Sequence, residues 1–81
     1  MLMKIYVGNL SFSTSEAGIR ELFARHGTVH SCRLKTDLKT GKCRGFGFVE
    51  MELDEAKEAI NALDGLVFED RTLRVSPMDG C

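Results

Sequence analysis

Arg44-Gly45-Phe46-Gly47-Phe48-Val49-Glu50-Met51 is the stretch on which the reading of this chain turns. A strand sends successive side chains to opposite faces. Arg44, Phe46, Phe48 and Glu50 therefore share one face, and Gly45, Gly47, Val49 and Met51 share the other. Val49 and Met51 are the side chains a core would take, which leaves Phe46 and Phe48 toward solvent. Upstream, Lys4-Ile5-Tyr6-Val7-Gly8 alternates in the same way, with Ile5 and Val7 inward and Lys4 and Tyr6 outward. Three rings then gather on one uncovered surface, and soluble proteins seldom leave such a patch in water without a use for it.

The rest of the chain supplies what would cover the opposite face. Asn9 to Ser15 is small and polar and reads as a loop, with Ser15 a suitable N-cap. Ile19, Leu22 and Phe23 follow at helical spacing, and Gly27 marks the stop. Val29 to Lys35 reads as a strand with Cys32 and Leu34 inward and Ser31, Arg33 and Lys35 outward. Asp37-Leu38-Lys39-Thr40-Gly41 is a turn. Leu53 to Leu63 carries Ala56, Ala59, Ile60 and Leu63 as one apolar stripe and reads as a second helix. Thr72 to Ser76 is expected as the last strand, with Leu73 and Val75 inward and Pro77 ending it. The order is β-α-β-β-α-β. Right-handed crossovers place both helices on one face of a four-stranded antiparallel sheet, an α+β, ferredoxin-like sandwich. The domain is expected to run from residue 1 to 77, with 78–81 a short C-terminal tail.

Eighty-one residues make one domain. At this size about 60% of the unfolded chain's surface is buried, too little to enclose a deep substrate cavity as well. Eleven basic and twelve acidic residues leave a net charge of −1, so total charge advertises no partner. Its distribution does. Arg33, Lys35, Lys39, Lys42 and Arg44 cluster with a single acid, Asp37. Glu50, Glu52, Asp54, Glu55 and Glu58 cluster with a single base, Lys57. The first run belongs to the second and third strands, the second mostly to the second helix. Cys32, Cys43 and Cys81 are odd in number and form no C-x-x-C pair, which indicates neither a disulfide framework nor a zinc site. No apolar run is long enough to span a membrane, and Met1-Leu2-Met3-Lys4-Ile5 runs into a strand rather than a signal peptide. An intracellular, cytoplasmic protein is expected, or a nuclear one in a eukaryote. No Ser/His/Asp or Cys/His set is evident, and the first loop lacks the arginine an anion-binding hydrolase on this fold would need. Neither catalysis nor a cofactor nor a metal is expected.

The octamer Arg44–Met51 resembles the octamer motif of the RNA-recognition-motif family, and Ile5-Tyr6-Val7-Gly8-Asn9-Leu10 resembles its hexamer motif. Their separation and the element order match as well. The resemblance implies that Tyr6 stacks on one base and Phe48 on the next, that Phe46 packs between the two sugars, and that Arg44 pairs with a phosphate. Unpaired bases present free faces to such rings, so a single-stranded partner is expected; the resemblance implies RNA, with single-stranded DNA as the alternative. The RNA-binding set is Tyr6, Phe46, Phe48 and Arg44, joined by Lys4, Arg33, Lys35, Lys42 and Arg74. Two positions depart from the family pattern: Met51 stands for an aromatic, and Asp70 for a glycine before the last strand. Gly45 and Gly47 are expected to admit close helix packing, Phe12 to act as a lid on the core, and Asn9 to anchor its loop. A monomer is expected. A protein-interaction module using the acidic helix face is the competing reading, and protein partners remain compatible with RNA binding.

Overall fold

The computed structural model describes residues 1–78. Strand β1 (Leu2–Gly8) is followed by helix α1 (Glu16–Ala24), strands β2 (Val29–Thr36) and β3 (Cys43–Glu52), and helix α2 (Leu53–Leu63). Two short strands, β4 (Val67–Phe68) and β5 (Arg71–Thr72), precede β6 (Arg74–Pro77). The main sheet has the order β2-β3-β1-β6, and all three pairings are antiparallel. Both helices pack against one of its faces. Ile5, Val7, Val49, Met51 and Val75 meet Ile19, Leu22 and Phe23 of α1 and Ala56, Ala59 and Leu63 of α2 in one continuous core. The expected α+β sandwich is therefore the fold.

Local chemistry sets the helix limits. Ser15 caps α1 with its hydroxyl accepting from the Gly18 N–H at 3.0 Å, and Glu16 follows in the first turn, where a carboxylate suits the helix dipole. Helix α2 starts directly after β3 and spans the residues its apolar stripe indicates. Neither helix is long and apolar enough to cross a membrane.

Four boundaries differ from expectation, the slightest being the end of β2 at Thr36 rather than Lys35. β1 begins at Leu2, because Leu2 and Met3 continue the ladder opposite Glu52 and Met51. The last strand starts at Arg74 rather than Thr72. Leu73 is instead bonded to the loop after α2, its carbonyl accepting from the Gly65 N–H at 2.9 Å and its N–H donating to the Leu66 carbonyl at 2.8 Å. Pro77 belongs to β6, opposite Ile5. β6 is an edge strand, where a residue without an N–H is tolerated. Beyond it the Met78 N–H donates to the Lys4 carbonyl at 2.8 Å. The remainder of the expected tail, residues 79–81, lies outside the described residues.

The β4–β5 hairpin was not expected. Its two-residue turn, Glu69-Asp70, has positive φ at both positions (52° and 65°), the geometry of a mirror-image turn that glycine or asparagine usually fills. Tertiary bonds hold it in place. The Thr14 hydroxyl donates to Glu69 Oε1 at 2.6 Å, and Arg71 donates to the Asn9 carbonyl (3.2 Å) and to Asn9 Oδ1 (2.9 Å). Asn9 Nδ2 in turn donates to the Thr72 carbonyl at 2.7 Å. Asn9 thus anchors its loop, as the sequence suggests, and it does so in a left-handed conformation (φ 61°).

Candidate nucleic-acid interface

The face opposite the helices is built in rows by strand register. Tyr6 lies directly across from Phe48 on one side and Ser76 on the other, and Phe48 lies across from Arg33. One row therefore reads Ser76–Tyr6–Phe48–Arg33 across all four strands. The row on one side of it reads Arg74–Gly8–Phe46, and the row on the other reads Lys4–Glu50–Ser31. The alternation of β1 and β3 is what brings the three rings together.

The rings do not stand upright in water. Phe46 is 38% exposed, whereas Tyr6 and Phe48 are half-buried. Tyr6 folds back along its own strand, so that a methyl group at Gly8 would lie 2.7 Å from its Cε2 and Cζ atoms. Gly8 is the hollow in which that ring rests. Lys4 places its ammonium 5.2 Å from the centroid of the Phe48 ring, a cation–π contact.

The two glycines inside β3 serve its neighbours in the sheet and the first loop, which corrects the expectation that they admit helix packing. A methyl at Gly47 would lie 2.8 Å from the Cα of Leu34 on β2. Gly45 has φ +101°, and its carbonyl accepts from the Leu10 N–H at 2.9 Å. That conformation, disfavoured for residues with a Cβ, bends the start of β3 toward the first loop.

Arg33 and Arg74 sit in the rows, and Arg44 lies exposed at the head of β3. Lys35 falls where the β2–β3 register shifts, between Leu34 and Thr36, and Lys42 lies in the loop before β3. These two are exposed but are not brought into the rows. Among the described residues, no carboxylate is ion-paired with Lys4, Arg33, Lys35, Lys42, Arg44 or Arg74. The acids gather at the other end of β3. Glu50 is in the Lys4 row, and Glu52 accepts from the Met1 ammonium at 2.8 Å, a bond that holds its carboxyl below the usual range. The face is thus basic where β3 begins and acidic where it ends. Among the described residues no cluster of His, Cys, Asp or Glu could hold a metal ion.

Phe12 is not the core lid that its loop position suggests. It is 70% exposed. Leu10, buried at 3%, fills the core at that point instead. The sequence signal is modest: Leu10 is the apolar residue nearer the strand, and Phe12 is flanked by serines.

The profile of the RNA recognition motif matches residues 5–74. The chain belongs to the RNA recognition motif family. It is an RNA-binding domain by that membership. RbpA of Synechocystis sp. is 52% identical over 75 residues, covering 91% of this chain and 74% of that protein. A 28 kDa chloroplast ribonucleoprotein of Spinacia oleracea is 43% identical over 74 residues, which are 90% of this chain and 32% of the longer spinach protein. The crystal structure of RNA Binding Protein PG1 superposes with a TM-score of 0.89 at 44% identity, covering 94% of this chain and 93% of that one. The Rna15 domain of the same family, solved with bound RNA (GU), superposes with a TM-score of 0.84 at 26% identity, covering 90% of this chain and 79% of that one.

Proposed function

We propose that this domain binds single-stranded RNA by stacking bases on the rings of its open sheet face. The observation that carries the reading is the direct pairing of Tyr6 with Phe48, with Phe46 in the next row and, among the described residues, Arg33, Arg44 and Arg74 free of ion pairs around them. Tyr6 and Phe48 each take a base, Phe46 packs against the sugars between them, and Arg44 meets a phosphate. Arg33 and Arg74 flank the track. Lys4, now over Phe48, moves to a phosphate when a base takes its place. Lys35 and Lys42 extend the positive field at the rim. The role is binding rather than catalysis, by a monomer in the cytoplasm, and the domain comprises residues 1–77.

Each base–ring stack contributes roughly 1–3 kcal/mol. Two or three stacks, less the cost of ordering the strand, correspond to micromolar dissociation constants. Each neutralised phosphate adds a slope of about −0.7 to log K against log salt. Fluorescence anisotropy of a labelled single-stranded RNA tests the reading, with the parent beside a folded Phe46→Ala/Phe48→Ala variant. Micromolar binding by the parent that the variant loses is expected. Equal binding by both, or none by the parent, overturns base stacking and turns attention to protein partners on the acidic face of α2. The same titration with DNA reads the contribution of the sugar.

A further inference from the structure

Strand register fixes which side chains surround a base on Phe48. Phe46 is two residues before Phe48 on the same face of β3, and Glu50 is two residues after it. Two residues of strand span about 6.8 Å. Glu50 is the centre of its row, with Lys4 directly across on β1 and Ser31 directly across on β2. A nucleotide with its sugar against Phe46 and its base over Phe48 therefore points the far edge of the base toward Glu50. The edge remote from the sugar carries the Watson–Crick groups, which an unpaired base leaves free.

Glu50 is a demanding neighbour for that edge. It is half-buried and, among the described residues, in no ion pair. Lys4, the cation across from it, holds its ammonium 5.2 Å from the Phe48 ring centroid instead. An ionised carboxylate accepts hydrogen bonds and donates none. It repels phosphates, and a base laid beside it takes away its water, a loss that only new donors offset. Guanine supplies them. Its N1–H and N2 amino group lie side by side and match the two carboxylate oxygens, leaving O6 for a donor of the same row. Adenine and cytosine each offer one amino group beside a ring nitrogen whose lone pair would face the second oxygen. Uracil offers a single N–H between two carbonyls. An acceptor-only side chain thus selects as much by what it repels as by what it binds.

We propose that Glu50 is a specificity-determining residue of the open face and that it selects guanine for the position on Phe48. Guanine N1–H and N2–H donate to the two oxygens of the Glu50 carboxylate. This selection rests on the reading that the face stacks bases of single-stranded RNA, and it names the base that one of those stacks takes.

The test is fluorescence anisotropy with labelled hexanucleotides of uridine that carry one guanine, one adenine or one inosine at the centre. Inosine is guanine without the N2 amino group. The parent should bind the guanine RNA about tenfold more tightly than the adenine RNA, the discrimination of one bidentate pair, with inosine between them. Glu50→Gln keeps the shape of the side chain but puts an amide NH2 in place of one oxygen. It should bring the three affinities close together, whatever it does to all of them. The ratio is the readout because loss of a negative charge alone raises all three alike, and a carboxylate that merely held Lys4 would carry no base preference. A parent indifferent to the base, with binding lost in Phe46→Ala/Phe48→Ala, overturns guanine selection and leaves base stacking standing. Equal affinity of the parent for guanine and inosine, or a preference for adenine, also overturns it. A guanine preference undiminished in Glu50→Gln overturns Glu50 as the reader. A parent that binds none of the RNAs overturns both readings.

Discussion

Phe48 and Val49 are neighbours in the chain and share the same strand geometry, yet they have opposite environments. Val49 is fully enclosed against the helices, whereas Phe48 lies half-exposed between Tyr6 and Arg33. The inner face is defined by how tightly volume is filled, the outer face by what has been left uncovered. A strand with one face of each kind separates stability from binding at single-residue resolution. A change on the inner face should be felt in folding, and one on the outer face in affinity.

The largest expected effect tests the inner face. Met51 is fully buried in the core, and Met51→Ala should cost about 2–5 kcal/mol in chemical denaturation. RNA affinity of the molecules that remain folded should be unchanged. A large loss of affinity in that folded population would break the division between the faces.

A pair of glycines sharpens the comparison. Gly47 is on the inner face opposite Leu34 and Val7, and an added methyl there meets β2 backbone. Gly47→Ala should destabilise by roughly 1–3 kcal/mol through forced separation of the strands. Gly8 is on the outer face, and the atoms nearest an added methyl belong to the end of the Tyr6 side chain. Gly8→Ala should therefore lift the ring at little cost to stability while weakening RNA binding by up to about 1–3 kcal/mol, the worth of one stack. Denaturation and anisotropy on both variants read the contrast, and equal stability losses would contradict it.

The smallest effect is a pH dependence. Burial pushes the Cys32 thiol up from 9.0 to about 11, with the nearby Glu16 carboxylate adding to the rise and Arg20 opposing it. In the unfolded chain the thiol ionises near its ordinary value, while in the folded domain it stays neutral to higher pH. Cys32 therefore supports folding fully below pH 9, and that support declines from about pH 9 to 11. Cys32→Ala should flatten this part of the stability profile. An unchanged slope would rule out a contribution from the Cys32 thiol.

Strand alternation made most of the site legible. Ile5, Val7, Val49 and Met51 had to be buried, which left Tyr6, Phe46 and Phe48 with no alternative face. Helix α2 was readable from its apolar spacing and α1 from Ser15. What escaped depended on contacts distant in sequence. The Glu69-Asp70 turn carries no glycine, and Thr14, Asn9 and Arg71 supply the bonds that hold the hairpin in place. Gly45 and Gly47 could be seen to matter, but the neighbour each one accommodates was set by the register with β2 and by the course of the first loop. Phe12 was misplaced for the same reason, since only that course shows that Leu10 fills the core and Phe12 does not.

The rows of the open face join Tyr6 from the first strand with Phe48 from the middle of the chain and Arg74 from near its end. No contiguous fragment carries that surface, and the unfolded chain does not present it at all. A ligand held there binds the native state alone, so by mass action RNA at a hundredfold excess over its dissociation constant adds about 2.7 kcal/mol to the unfolding free energy. Recognition and folding are thus thermodynamically linked, and the melting temperature becomes a reporter of occupancy that requires no label on either partner.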